Sequence, residues 1–208
     1  MSFYWNNFYK KKIIVSPSNF AKYCKSNFLS KNSKLLEIGC GNGRDSFYFE
    51  KNKLIVTAVD KSKKAIEIND RKIKNKNIKF FNIDINNNKF LKLGKFDIIY
   101  ARFFLHTINQ ISENKLFRNL TKLGIAKKTI ILFEFRTVKD PLFNLGKKLK
   151  KNERFTDHYR RFIDVNELKK NLVKINKFKI MKIIERKGLA KFKKEDPIVC
   201  RLVMKIIK

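Results

Sequence analysis

Residues 35–46 read LLEIGCGNGRDS, and this stretch decides how the rest of the chain is understood. An apolar run ends in three glycines at alternate positions, Gly39, Gly41 and Gly43, and polar residues suited to a helix start follow. Glycine permits the tight turn and lets a ligand approach the backbone closely, as in nucleotide-binding strand–turn–helix units. A dinucleotide fingerprint would read G-x-G-x-x-G, but Arg44 stands three positions after Gly41, which weakens a nicotinamide reading.

Working outward, apolar runs of strand length alternate with helix-period segments. Strands are expected over 34–40, 54–60, 79–85, 96–103 and 129–136, with helices over 45–51, 62–74 and 112–126. Ser62 and Ser112 are the expected N-caps. This order predicts right-handed βαβ units around a parallel sheet. Asp60 ends the second run, where a carboxylate can accept from two ribose hydroxyls. Asp84, followed by Ile85, ends the third, and parallel strands deliver their C-terminal ends to one crevice, so Glu37, Asp60 and Asp84 ring one edge.

Beyond Arg136 the segment 137–163 shows turn signals and no sustained periodicity, which predicts a loop or lid on the substrate side. A helix is expected over 164–175, with Asp164 and Glu167 as a capping box. Two β-rich runs, 178–192 and 197–207, separated by Gly188 and the turn at Glu195-Asp196-Pro197, predict an antiparallel C-terminal hairpin that closes the sheet. Upstream, Tyr4, Trp5, Phe8 and Tyr9 precede a helix capped by Ser18, so 1–33 is read as an N-terminal cap segment. The 208 residues suit a single domain with one well-buried core.

Composition excludes several classes. A hydrophobic content of 43% with twenty Phe does not describe a disordered chain. No apolar run is long enough for a membrane span, and the start of the sequence lacks a signal-peptide core, so a cytoplasmic protein is expected. Three cysteines without CxxC spacing point neither to disulfides nor to a metal site. The net charge of +32 would ordinarily point to nucleic acid or an anionic membrane, but ten arginines against forty lysines and twenty-two asparagines is a bias that A/T-rich codons produce. The lysines are spread along the chain, with short clusters at 10–12, 147–151 and 191–194, and a solvated surface is the reading adopted.

Taken together, LLEIGCGNGRDS, AVD at 58–60, NID at 82–84 and FDIIYARFFLHTI at 96–108 resemble the class I S-adenosylmethionine-dependent methyltransferases over most of residues 15–136. The resemblance implies a Rossmann-like α/β three-layer sandwich with a mostly parallel seven-stranded sheet and an antiparallel C-terminal hairpin. It implies S-adenosylmethionine as cofactor, with Gly39, Gly41 and Gly43 along its methionyl and ribose part. Asp60 would hold the ribose, Asp84 with Ile85 the adenine, and Glu37 would help orient the methionine amino end. EFR at 134–136, DHYRRFID at 157–164 and GLAKFKKEDPIVCR at 188–201 look like a bacterial small-molecule subgroup, some of it encoded among cell-surface sugar functions.

The acceptor side carries fewer signals. The fourth strand leads into Ala101-Arg102-Phe103-Phe104-Leu105-His106 and not the Asn/Asp-Pro-Pro-aromatic tetrad of base amino methylation. His106 is a candidate general base for a hydroxyl acceptor, with packing or capping as its alternative role. Arginine is scarce in this chain, so Arg102, Arg136, Arg160 and Arg161, with His158 and Tyr159, are candidates to bind an acceptor carboxylate or phosphate, with pairing to Glu153, Asp157 or Asp164 as the alternative for the arginines. A small anionic metabolite or surface-sugar precursor is the expected acceptor. RNA and a non-catalytic cofactor-binding module are the competing readings, and the sequence does not assign an oligomeric state.

Overall fold

A computed structural model describes residues 2–11 and 16–208; Met1 and residues 12–15, with them Lys12 of the first lysine cluster, lie outside the described residues. The N-terminal helices are α1 (Ser2–Lys11) and α2 (Asn19–Phe28). Then follow β1 (Lys34–Ile38), α3 (Arg44–Lys51), β2 (Ile55–Asp60), α4 (Lys63–Asp70), β3 (Ile78–Asn82), β4 (Ile98–Arg102), α5 (Gln110–Leu123) and β5 (Ile130–Arg136). The C-terminal third contains β6 (Lys147–Lys150), β7 (Glu153–Phe155), β8 (Tyr159–Arg161), α6 (Val165–Ile175), β9 (Phe178–Arg186) and β10 (Val199–Ile206).

Seven strands form one sheet in the order β3-β2-β1-β4-β5-β10-β9. The first five are parallel, and β10 runs antiparallel to both β5 and β9, as the sequence predicts. Alternate residues of each strand serve opposite layers. Leu36, Ile99, Ile131 and Phe133 pack with Leu116, Phe117 and Leu120 of α5 and Leu168 and Leu172 of α6. Leu35, Ile98, Tyr100 and Leu132 pack with Phe20 and Cys24 of α2, Phe49 of α3 and Ile66 of α4. Helices on both faces explain why these strands read as continuous apolar runs. Each fully buried Phe or Leu contributes on the order of 2 kcal/mol over its exposed state.

Helix starts follow local hydrogen-bond chemistry. Ser18, Ser62 and Asp164 accept from N–H groups of the first turns of α2, α4 and α6, as expected. The cap of α5 is Asn109 and not Ser112: its side chain accepts the Ser112 N–H at 2.9 Å, which leaves the Ser112 hydroxyl to meet Asn86. Asn caps as well as Ser, and it stands where Ile108 is still extended. Among the described residues no helix is long and apolar enough to cross a membrane.

Segment 137–163 is a folded unit and not the expected open loop. A short 3-10 turn, Pro141–Asn144, is capped by Asp140 and leads into the antiparallel sheet β6-β7-β8. Strands of three and four residues are too short to register as periodicity. The small sheet is anchored by Arg161, buried at the start of α5, which donates to Ile108 O at 3.0 Å, Gln110 Oε1 at 2.7 Å and the Glu113 carboxylate. Glu113→Ala would strand a buried guanidinium, and chemical denaturation should report a loss of about 3–5 kcal/mol. Glu167→Ala, whose partner Lys151 is exposed, should cost under about 1 kcal/mol in the same measurement.

Candidate functional site

The C-terminal ends of β1 to β5 open into a cavity of about 930 Å3. Glu37, Gly39, Gly41, Asp60, Asp84, Ile85, Arg102, His106, Arg136, His158 and Arg160 all line it. Gly43, Tyr159 and Arg161 are not part of its wall. Gly43 is the left-handed N-cap of α3 (φ 72°), and a Cβ there would meet the Asn69 side chain at 2.9–3.1 Å, so it serves the packing of α3 on α4. Tyr159 is half-buried on β8, and Arg161 is taken up by Glu113.

At the glycine turn, the Asp60 carboxylate accepts the Gly41 N–H on one oxygen and the Ser62 N–H on the other, both at 2.8 Å. Burial pushes its pKa up, while these backbone donors pull it back. Each oxygen keeps a lone pair for a further donor. Asn69 donates to Gly41 O at 2.8 Å from behind. Above the turn lies Tyr9 of α1, and a Cβ on Gly41 would stand 2.4 Å from its hydroxyl oxygen, so this close approach requires glycine. Glu37 accepts from the Ser46 hydroxyl, and burial, then the neighbouring Asp45, push its pKa well up. Further along, Ile83 and Ile85 line an apolar flank beside Asp84. The Asp84 carboxylate meets Lys61 at 2.7 Å and its pKa is lowered: burial raises it, but the Lys61 and Asn86 contacts outweigh that. A hydrogen-bonded acid, a glycine cradle and an apolar slot suit a nucleoside carrying an amino-acid tail.

The opposite end is dominated by arginine. Glu134 of β5 is fully buried and in register with Arg102 on β4 and Arg201 on β10. Arg102 Nε donates to Oε1 at 2.9 Å and Arg201 Nε to Oε2 at 2.8 Å, so one carboxylate serves two cations. Arg201 also donates to Leu189 O, which pins the β9–β10 loop and brings Lys191, Phe192 and Pro197 onto the cavity. Phe103, in left-handed backbone conformation (φ 54°), has the Arg102 guanidinium 4.0 Å over its ring. Arg136 is matched by Asp140 at 2.9 Å and Glu195 at 3.3 Å, and Arg160 by Asp157 at 2.8 Å. His106 is buried, and its Nδ1 accepts the Arg136 backbone N–H at 3.4 Å. Burial, then Arg136, hold its pKa well below the usual imidazole range.

Sequence reasoning missed Arg44, which appeared there only as a departure from a glycine fingerprint. It lines the cavity, and burial and the charge of Arg102 lower its pKa. Among the described residues its one ion-pair contact is Asp45 at 4.0 Å, and the Glu37 carboxyl also acts on its charge. The Asp45 oxygens already accept Ser18 N, Ser18 Oγ and Tyr100 Oη at 2.7–2.8 Å. Scarcity of arginine was the signal that could have flagged it. From the N-terminal helix, Tyr4 donates to Asp157 at 2.6 Å, and Tyr4 and Trp5 meet the His158 ring at 4.4 and 5.1 Å.

Comparisons with known proteins agree with this geometry. The family described as a methyltransferase domain matches residues 35–123, the span from β1 through α5 that holds the glycine turn and both strand-end acids. No curated protein matches the sequence. A methyltransferase structure from Methanosarcina mazei is 13% identical, with a TM-score of 0.73, 88% of this chain and 97% of that one being covered. One from Clostridium acetobutylicum is 16% identical, with a TM-score of 0.67 and 100% and 93% covered. The magnesium protoporphyrin IX methyltransferase of Synechocystis, solved with bound S-adenosylmethionine, is 14% identical, with a TM-score of 0.61 and 88% and 75% covered. At these identities the structures speak for the fold, and the family match for the chemistry. The chain has the fold of S-adenosylmethionine-dependent methyltransferases, and its residues 35–123 match the methyltransferase-domain family.

Proposed function

We propose that this methyltransferase acts on a small acceptor bearing a carboxylate or phosphate, a metabolite or surface-sugar precursor. One observation carries the reading: the buried Glu134 is shared by Arg102 and Arg201, and Arg44 faces the same cavity with Asp45, which already accepts from Ser18 and Tyr100, 4.0 Å away. A partly desolvated surplus of positive charge is costly unless an anion completes it. Arg102 uses only Nε on Glu134, and its remaining N–H groups supply the bidentate edge that carboxylates and phosphates fit. Arg136 and Arg160, each already paired, shape the wall around that anion. The whole chain works as one methyltransferase domain in the cytoplasm, and its three free cysteines are buried.

The cofactor contacts follow the cradle: Asp60 for the ribose hydroxyls, Asp84 and Ile85 for the adenine, and Glu37, Gly39 and Gly41 for the methionyl end. Bound S-adenosylmethionine supplies an electrophilic methyl, and transfer to a nucleophile in line with it depends chiefly on alignment. The Phe103 ring and Arg102 fix the acceptor, while Tyr4, Trp5 and Tyr9 exclude water. His106 keeps its proton on Nε2, because Nδ1 accepts the Arg136 N–H, so the neutral ring donates a hydrogen bond to the acceptor instead of taking its proton.

Calorimetry should show S-adenosylmethionine binding that Asp60→Ala weakens by about tenfold or more. Equal binding by the variant would remove Asp60 from the cofactor site. With labelled methyl donor and a metabolite extract, mass spectrometry should find the label on a small anion, and Arg102→Gln should raise KM for it by about tenfold or more with a smaller change in kcat. Label found only on RNA would reject the small acceptor. Since the His106 pKa is depressed, the ring is neutral at and above its usual pKa of about 6.5, and kcat/KM should show no His106 inflection between about pH 6 and 8. An ascending limb in that window that His106→Asn abolishes would restore the general-base role. By the same sign, the stability this neutral histidine holds above about pH 6.5 should be lost as pH falls toward its depressed pKa.

A further inference from the structure

The β6–β7 hairpin has a composition that the methyl-transfer site does not use. Residues 145–155, LGKKLKKNERF, hold five basic side chains and one acid, yet three of their large apolar residues face solvent. Leu145 is 54% exposed, Leu149 45% and Phe155 48%. Lys147 and Phe155 are cross-strand partners and therefore share a face. The register shift between Lys148 and Lys150 makes Leu149 the extra residue of a bulge on an edge strand whose four residues are all exposed.

The hairpin is held rigidly at its base. Arg154 donates to the carbonyls of Phe143, Lys150, Lys151 and Glu153 at 2.8–3.2 Å, and its guanidinium lies 4.2 Å over the Phe143 ring. Phe143 in turn packs edge-on against the buried Phe162. Lys151 is tied to Glu167 of α6 at 2.6 Å. A loop tip fixed in this way presents its apolar side chains without a large ordering cost on binding.

We propose that this hairpin docks the protein on an anionic lipid surface, with Leu149 and Phe155 entering the boundary between headgroups and acyl chains and Lys147, Lys148 and Lys150 meeting lipid phosphates. Exposed apolar residues set among lysines are the combination that binds interfaces, where each component alone is weak. Leucine offers nothing to an RNA backbone, and a lysine-lined edge repels a second copy of itself. The same small sheet carries Asp157, His158 and Arg160 onto the cavity wall, so docking would bring that wall toward the surface.

Flotation of the full chain with vesicles of phosphatidylcholine alone, and with phosphatidylglycerol added, tests this. Strong recovery with the anionic vesicles and little with the neutral ones is expected. Leu149→Asp with Phe155→Asp should lower it by about tenfold or more, with circular dichroism and S-adenosylmethionine binding unchanged. Reversing the exposed Lys72, Lys74 and Lys76, in the α4–β3 connection and outside the hairpin, should leave recovery nearly intact. Equal recovery with both vesicles would overturn the proposal because an anionic surface would not be needed, and anionic binding that the double variant retains would overturn it in favour of diffuse charge. Vesicle binding absent and RNA binding lost in the double variant would overturn it in favour of nucleic acid.

Discussion

The geometry of the arginine-rich end of the cavity depends on one carboxylate. Glu134 sits where the parallel and antiparallel parts of the sheet meet, in register with Arg102 on one side and Arg201 on the other. A buried carboxylate without a partner would cost several kcal/mol; with two cations each oxygen is hydrogen-bonded, yet the cluster stays positive. Burial still raises its pKa, but the two guanidinium groups oppose that shift. Arg201 carries the effect outward: it stacks over Tyr23 at 4.8 Å and anchors the β9–β10 loop through Leu189 O. Strand pairing, loop position and cavity charge thus share one cause.

A comparable knot holds the cofactor end. Asp45, in the first turn of α3, ties Ser18 at the start of α2 to Tyr100 on β4. Tyr100 is fully buried between Phe20 at 5.1 Å and Phe49 at 5.0 Å. Ser18 both caps its helix and donates to Asp45, so the N-terminal helix layer is fixed to the glycine turn by polar contacts that a purely apolar interface would leave free to slide.

The large sheet was legible in the sequence because parallel strands covered on both faces leave unbroken apolar runs, as in IVTAVD and ILFEF. Its edges were read too long: 79–85 shortened to Ile78–Asn82 because Asp84 turns the chain, accepting the Asn86 N–H at 2.9 Å. The small sheet was illegible, since four-residue strands such as KKLK carry no period to detect. At the site, acids and glycines were readable from their places at strand ends, whereas three alternate glycines look equivalent on paper and only two face the cavity. Arg44 and Arg161 show the same limit in opposite directions. What an arginine does depends on which carboxylate the fold places beside it: Arg161 meets Glu113, 48 residues away, whereas Arg44 has its sequence neighbour Asp45 at 4.0 Å.

The bond between Tyr4 and Asp157 joins positions 153 residues apart. On a ribosome the first helix therefore emerges long before the carboxylate it is to meet, and Asn6 must likewise wait for Ser62. This helix is thus among the last elements to dock, and until then its cluster of Tyr4, Trp5, Phe8 and Tyr9 is uncovered. For this chain, closure of the cavity coincides with completion of the fold.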